Sequence, residues 1–131
     1  MDDKSVMDAL VQMKRTYTLL NELMDLTQQL GQAIDRNDQV SIGMLIGMRE
    51  DPLLKLQQAD TAIREQLEEI PDRMVSAQLA CMLNGGPPAE ENSRTQQMLC
   101  EQVAVNQRSL KQIRELDERI NRRLAGSKSV Y

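Results

Sequence analysis

Aromatic side chains are nearly absent from this chain of 131 residues, which has no Phe, no Trp and only two tyrosines, Tyr17 and Tyr131. Strands favour aromatic and β-branched residues, whereas Leu, Met, Gln, Glu and Arg favour helices. Leu, Ile, Val, Ala and nine Met must therefore form the core. The composition predicts an all-α fold, and the length predicts a single domain over residues 1–131.

Histidine is absent altogether, and the two cysteines, Cys81 and Cys100, do not form a CxxC motif. These absences exclude zinc sites built on His and Cys, as well as Ser/His and Cys/His catalysis. No phosphate-binding loop occurs, and a di-iron bundle would need a Glu-x-x-His element that this chain cannot form. We therefore expect no enzyme activity, no catalytic residue, no metal, no cofactor and two free thiols in a reducing compartment.

Long apolar runs are also missing. The longest, VSIGMLIGM at 40–48, is about half of what a membrane span needs. The acidic start MDDKSVMDAL does not resemble a signal peptide. A net charge of −4 argues against general nucleic-acid binding. We expect a soluble, cytoplasmic protein with no membrane span and no nucleic-acid partner.

Apolar residues at helical spacing predict a first helix over about 3–36, which ends at the turn DRND. A second helical pattern follows over 37–70. Pro52 inside it either kinks one long helix or begins a new helix as its first residue, and the uninterrupted periodicity favours one kinked helix. Gly43 and Gly47 lie on one face of this helix, where we expect its backbone to approach helix 1 closely.

Residues 72–83 predict a short third helix or a helical extension, and the Gly and Pro residues that follow predict a loop at 84–92. The sequence Ser93-x-x-Gln96 has the form of a capping box and predicts the start of a final helix, which should stop at Gly126. Helices of this length are unstable alone in water. The expected architecture is an elongated antiparallel helical bundle, a long α-hairpin with the long C-terminal helix laid along it.

The final helix carries an apolar row into which Asn106 falls. The other members of the row are Leu99, Val103, Leu110, Ile113, Ile120 and Leu124. We call the interface that this row forms the seam. Two interpretations of the amide remain open. Either it fixes the register of a closed seam at a cost in stability, or it is solvated until a partner helix arrives. The methionines allow the same choice, either core filling or a surface that adapts to a partner.

The final helix is also basic. Between Arg108 and Lys128 there are seven basic residues against three acidic ones. This excess indicates either a solvated helix face or a surface for an acidic partner.

Two further patterns involve the long helices and the end of the chain. Ala33, Asp38, Leu45, Arg49, Leu53 and Leu54 loosely follow the pattern A-x-x-x-x-D-x-x-x-L-x-x-L-x-x-x-(R/K)-x-x-L-L. The stretch NQRSLKQI at 106–113 loosely follows N-x-x-L-L-x-x-x, and the chain ends in SVY. In these motifs the sequence resembles the FlgN family of flagellar export chaperones.

The resemblance implies a cytoplasmic chaperone that binds hook-associated flagellar proteins before type III export. In that family the C-terminal helix engages the C-terminal helical segment of the substrate, and a C-terminal tyrosine region is implicated at the export gate. By position, the resemblance assigns partner binding to Asn106, Leu110, Ile113, Leu116, Ile120 and Leu124, and contact with the export gate protein to Tyr131. A disordered substrate tail would fold against this seam, which shields it from premature assembly.

Two other functions fit the same patterns. One is a structural homo-oligomeric coiled-coil protein, in which the seam pairs with a second copy. The other is a small helical adaptor or regulator that uses its basic C-terminal helix on an anionic partner. Size in solution tests self-association, and a steep loss of binding with salt would favour the adaptor.

Overall fold

The computed structural model describes residues 1–129 of the chain, with the side chains of residues 1–126. Four helices and no strand occupy this part of the molecule. In chain order they are α1 Asp3–Asp35, α2 Gln39–Glu69, α3 Arg73–Leu83 and α4 Arg94–Ser129. α1 and α2 form a long hairpin and α4 lies along it, so the predicted all-α architecture is confirmed.

Aspartate caps begin both helices of the hairpin. Asp2 accepts a hydrogen bond from the backbone N–H of Ser5 at 3.0 Å, and Asp38 accepts one from that of Ser41 at 3.2 Å. Between the helices, Asn37 has a positive φ of 55°, which lets the chain reverse direction. α2 therefore runs antiparallel to α1.

α2 passes through Pro52 without ending, which confirms one long helix rather than two. A helical proline lacks the N–H that would bond to the carbonyl of Met48. The ring of Pro52 packs inward instead, in line with Leu45 and Ala59, which are buried as well. The kink at this position stays a prediction.

α3 packs against α4 and ends in a glycine cap. Gly85 has a φ of +99°, a left-handed conformation that glycine adopts without a steric penalty. The N–H groups of Gly85 and Gly86 donate to the carbonyls of Met82 and Cys81, at 3.1 and 2.9 Å. This is the bonding pattern of a Schellman motif, and it turns the chain into the loop that leads to α4.

α4 runs parallel to α1, because Thr95 near its start donates to Asp3 near the start of α1, at 2.9 Å. The predicted capping box is half formed. The Ser93 hydroxyl accepts from the N–H of Gln96 at 3.3 Å, but the Gln96 side chain accepts from the N–H of Glu90 instead. The side chain of Gln96, which has the spacing of a capping box, thus binds the loop before α4 and not the start of the helix.

The prediction that the final helix stops at Gly126 is wrong, because α4 continues to Ser129. A glycine that ends a helix adopts a positive φ. Among the glycines of residues 1–129, only Gly85 does so. Gly126 is therefore an internal helical residue.

Among the side chains of residues 1–126, the core consists of three clusters along the bundle. At the end that includes α3, called here the α3 end, they are Val6, Ala9, Leu10, Leu79, Met82, Leu99 and Val103. The middle cluster is Leu20, Leu23 and Ile113, and the far end holds Leu26, Leu30, Ala33, Ile42, Leu45 and Ile120. α1 contributes to all three clusters, so it is the central helix against which α2 and α4 both pack.

Candidate functional site

The α4 residues predicted to bind a partner lie along the hairpin. Ile113 and Ile120 are buried, whereas Leu110, Leu116 and Leu124 are half-buried. The buried pair packs into the middle and far clusters, mainly against α1. Most of the seam is therefore occupied by the chain itself, and only its edges are open to a partner.

Asn106, which is 6% exposed, is held within this interface by hydrogen bonds. Its Nδ2 donates to the carbonyl oxygen of Met13 in α1 at 2.9 Å, and its Oδ1 accepts from Nε2 of Gln102 at 3.1 Å. A buried amide without partners is destabilising, whereas one with partners favours a single arrangement of the helices. The geometry supports the first interpretation of Asn106, in which the amide fixes the register of a closed seam.

A second polar contact, which sequence reasoning missed, links α2 to α4. Nη2 of Arg49 donates to both carboxylate oxygens of Asp117, at 2.8 and 2.9 Å, and these side chains are only 15% and 33% exposed. The signal was present in the sequence, because Asp117 lies four residues after Ile113 and three before Ile120, in the same row as Asn106. The ion pair joins two helices that otherwise make little backbone contact within residues 1–129.

An open groove lies between α1 and α4, with a volume of about 550 Å³. Its lining residues are Gln28, Gly31, Gln32 and Asp35 of α1 with Leu116, Arg119, Ile120 and Arg123 of α4. We call it the Gly31 groove. Of the predicted partner-binding residues, it brings together Leu116 and Ile120, and it does not include Asn106, Leu110, Ile113 or Leu124.

The Gly31 groove has an excess of positive charge. Arg123 forms an ion pair with Asp35. Arg119 has no hydrogen-bond or ion-pair partner within the described part of the chain. The groove thus presents one uncompensated guanidinium beside the apolar side chains of Leu116 and Ile120.

The outward face of the first half of α2 is apolar and exposed. Its large side chains, between 42% and 82% exposed, are Val40, Met44, Ile46, Met48, Leu53 and Leu54. The expectation that Gly43 and Gly47 bring α2 close to helix 1 is wrong, because a Cβ added at either glycine would meet no atom within 4 Å. The pattern misled because residues 40–48 are apolar on every side, and the buried Ile42 and Leu45 set the inward face.

The methionines occupy both kinds of position that the sequence allowed. Met82 is completely buried in the cluster at the α3 end. Met44 and Met48 are exposed on α2, and Met7 and Met74 are exposed elsewhere. Core filling explains the position of Met82 but not the positions of the four exposed methionines.

Both cysteines are free, with Cys81 exposed and Cys100 half-buried. Burial raises the pKa of the Cys100 thiol, and the neighbouring Cys81 raises it further. A thiol with a raised pKa holds its proton and is a weak nucleophile. The pair therefore offers no activated nucleophile at Cys100.

Among residues 1–129, no cluster of Cys, Asp or Glu side chains is arranged to hold a metal ion. None of the helices in that range has the length and hydropathy to cross a membrane. Tyr131, which the resemblance assigns to the export gate, lies outside the described residues.

Comparison with known proteins gave no match to a family model, a curated protein or a solved structure. The class is thus defined by the fold and the surface alone. Within residues 1–129 the chain is an elongated all-α bundle with an open groove between α1 and α4 and an exposed apolar face on α2.

Proposed function

We propose that this chain is a cytoplasmic type III export chaperone of the FlgN kind, which binds hook-associated flagellar proteins and keeps them unassembled and competent for export. The motifs of the second and final helices support this assignment, as does the hairpin-plus-helix architecture. The observation that carries it is the Gly31 groove, because the half-buried Leu116 of α4 lies on an open surface there, beside the edge of the buried Ile120.

The groove suits a helix that forms on binding. A substrate segment that is disordered before export can fold into an amphipathic helix and place its apolar side chains against Leu116 and Ile120. Those side chains are then removed from water and from other copies of the exported protein. Ordering the segment opposes binding, which keeps the complex releasable at the export gate. In this proposal Tyr131 is the candidate for contact with the export gate protein.

Co-purification with C-terminal segments of hook-associated proteins tests this function. We expect the wild-type protein to retain such a segment and Leu116→Glu to lose it, since the new carboxylate lies in the groove. Met44→Glu changes an exposed residue of α2 and should retain it. Circular dichroism establishes that all three proteins are folded. If the folded wild-type protein retains no hook-associated segment, the proposal is wrong.

The exposed apolar face of α2 favours a second candidate function, a structural protein that self-associates. Exposed contiguous apolar surface commonly marks an interface. Two copies could pack their α2 helices together, with Gly43 and Gly47 allowing close approach. Sedimentation equilibrium should then show an oligomer that Val40→Lys with Met44→Lys converts to a monomer. A wild-type monomer at all concentrations counts against this candidate.

A further inference from the structure

We propose that the Gly31 groove selects an amphipathic helix carrying an acidic side chain beside its apolar stripe, with Arg119 binding the carboxylate. This inference rests on the proposed function and names the chemistry of the segment that the chaperone binds. The occupant of the groove is a helix of a different protein.

Gly31 leaves room on the α1 side of the groove. A Cβ built on Gly31 would meet only Cδ1 of Ile120, at 3.9 Å, an ordinary van der Waals distance. Packing of α1 on α4 therefore does not require glycine at this position, and glycine lowers helix stability relative to alanine. Gly31 lines the groove together with Leu116 and Ile120, so a long side chain in its place would take up part of the groove.

Charge selects the kind of helix that fits. Three charged side chains line the groove, and two of them, Asp35 and Arg123, already pair with each other. Arg119 remains, next to the apolar floor. A guanidinium binds a carboxylate through charge-assisted hydrogen bonds, often two at once, whereas a lysine brought to the same place would be repelled. The complementary ligand is apolar along one stripe and acidic at its edge.

The charge pattern also argues against a second copy as the occupant. The apolar face of α2 is the obvious apolar surface that another copy could offer, but residues 39–48 contain no acidic residue. The first acids after this run are the exposed Glu50 and Asp51, and Asp51 is paired with Lys55 at 3.0 Å. The groove runs from Gln28 to Asp35, about two helical turns, which matches a single docked helix.

Fluorescence anisotropy with a short synthetic amphipathic helix tests the selection. One labelled peptide carries Glu beside its Leu stripe, and its sister carries Lys at the same positions. We expect the wild-type protein to bind the Glu peptide more tightly than the Lys peptide. Arg119→Glu should lower the affinity for the Glu peptide at least about tenfold and raise the affinity for the Lys peptide. Arg108→Glu makes the same charge change at an exposed α4 position outside the groove and should alter neither affinity.

A second pair of variants tests the space. Gly31→Met places a long side chain in the groove and should weaken binding of both peptides. Gly31→Ala adds one methyl and should leave the affinity for the Glu peptide within about twofold of the wild-type value. Arg119 is exposed, so its replacement remains informative even if Gly31→Met disturbs the fold.

The outcomes separate this inference from the function on which it rests. Equal binding of the two peptides to the wild-type protein, or an unchanged affinity in Arg119→Glu, overturns the inference even if hook-associated segments bind. If the Glu peptide binds and no hook-associated segment does, the charge selectivity of the groove is supported and the flagellar assignment is contradicted. A wild-type dimer that Gly31→Met converts to a monomer places a second copy in the groove and overturns the inference.

Discussion

The two ends of the bundle differ in how completely they are packed. At the α3 end a fourth helix covers the starts of α1 and α4, and Leu79, Met82 and Leu99 are fully buried. At the far end three helices of the described range 1–129 meet, and the Gly31 groove and the exposed face of α2 lie on their surface. From this comparison we expect the α3 end to contribute more to stability and the far end to offer the surfaces for binding.

The strongest test of that expectation is to remove the same side chain at each end. Leu99→Ala, in a fully buried position, should lower the free energy of unfolding by about 3 kcal/mol, because it leaves a cavity. Leu124→Ala, half-buried at the far end, should cost less than about 1.5 kcal/mol, because it loses less buried area. Urea unfolding followed by circular dichroism measures both. Equal losses would contradict the expectation that Leu124 is packed less completely than Leu99.

The seam between the two ends depends on Asn106. Asn106→Ala removes the donor to the Met13 carbonyl and should cost about 1 to 2 kcal/mol. Gln102→Ala, the control, removes only a partly exposed donor to Asn106 and should cost about 0.5 kcal/mol or less. The same urea experiment compares them, and an Asn106→Ala protein as stable as wild type would show that the amide does not contribute to holding α1 and α4 together.

The glycines of the two ends should respond to alanine in opposite directions. Gly85→Ala should destabilise the protein by about 1 to 2 kcal/mol, because φ there is +99° and the new Cβ would lie 2.9 Å from the Gln107 side chain. Gly31→Ala should stabilise it by up to about 1 kcal/mol, because the site is helical and has room. Thermal unfolding measures whether each variant is more or less stable than the wild-type protein. A destabilised Gly31→Ala protein would mean that packing requires glycine at that position.

The smallest expected difference concerns the caps of α1 and α2 in acid. Hydrogen bonds from the hydroxyl and backbone N–H of Ser41 hold the pKa of Asp38 below its ordinary value of 3.8, and Ser5 lowers the pKa of Asp2 in a similar way. A depressed folded-state pKa gives stability that is present above the ordinary value and lost as pH falls through the lower one. Asp38→Asn caps the helix without titrating, so its melting temperature should fall less steeply in acid. An unchanged acid profile would contradict this assignment.

Local signals were sufficient to predict most helix boundaries. Asp2 and Ser93 begin α1 and α4, and the Gly and Pro residues after Leu83 end α3. The exception was Gly126, because a glycine permits a helix to end without requiring it. Periodicity placed Asn106 in the seam correctly, yet the same row contained Asp117, whose charge indicated a partner on another helix.

Relations between helices were harder to predict. The inward face of α2 depends on which of several apolar stripes packs against α1, and the sequence around Gly43 and Gly47 offers apolar residues on all sides. The Gly31 groove depends on the rotation of α1 relative to α4, which no single-helix pattern contains. Leu116 and Ile120 could therefore be proposed as binding residues, but not the α1 residues opposite them.

The parallel alignment of α1 and α4 has a consequence for the order of folding. Met13 and Asn106, which bond across these helices, are 93 positions apart, whereas the α1 and α2 hairpin closes through a short turn. Local contacts form faster than distant ones because they close smaller loops. We therefore expect the hairpin to form while the chain is still being synthesised and α4 to dock last, so that a nascent hairpin exposes the α1 stripe until the final helix covers it.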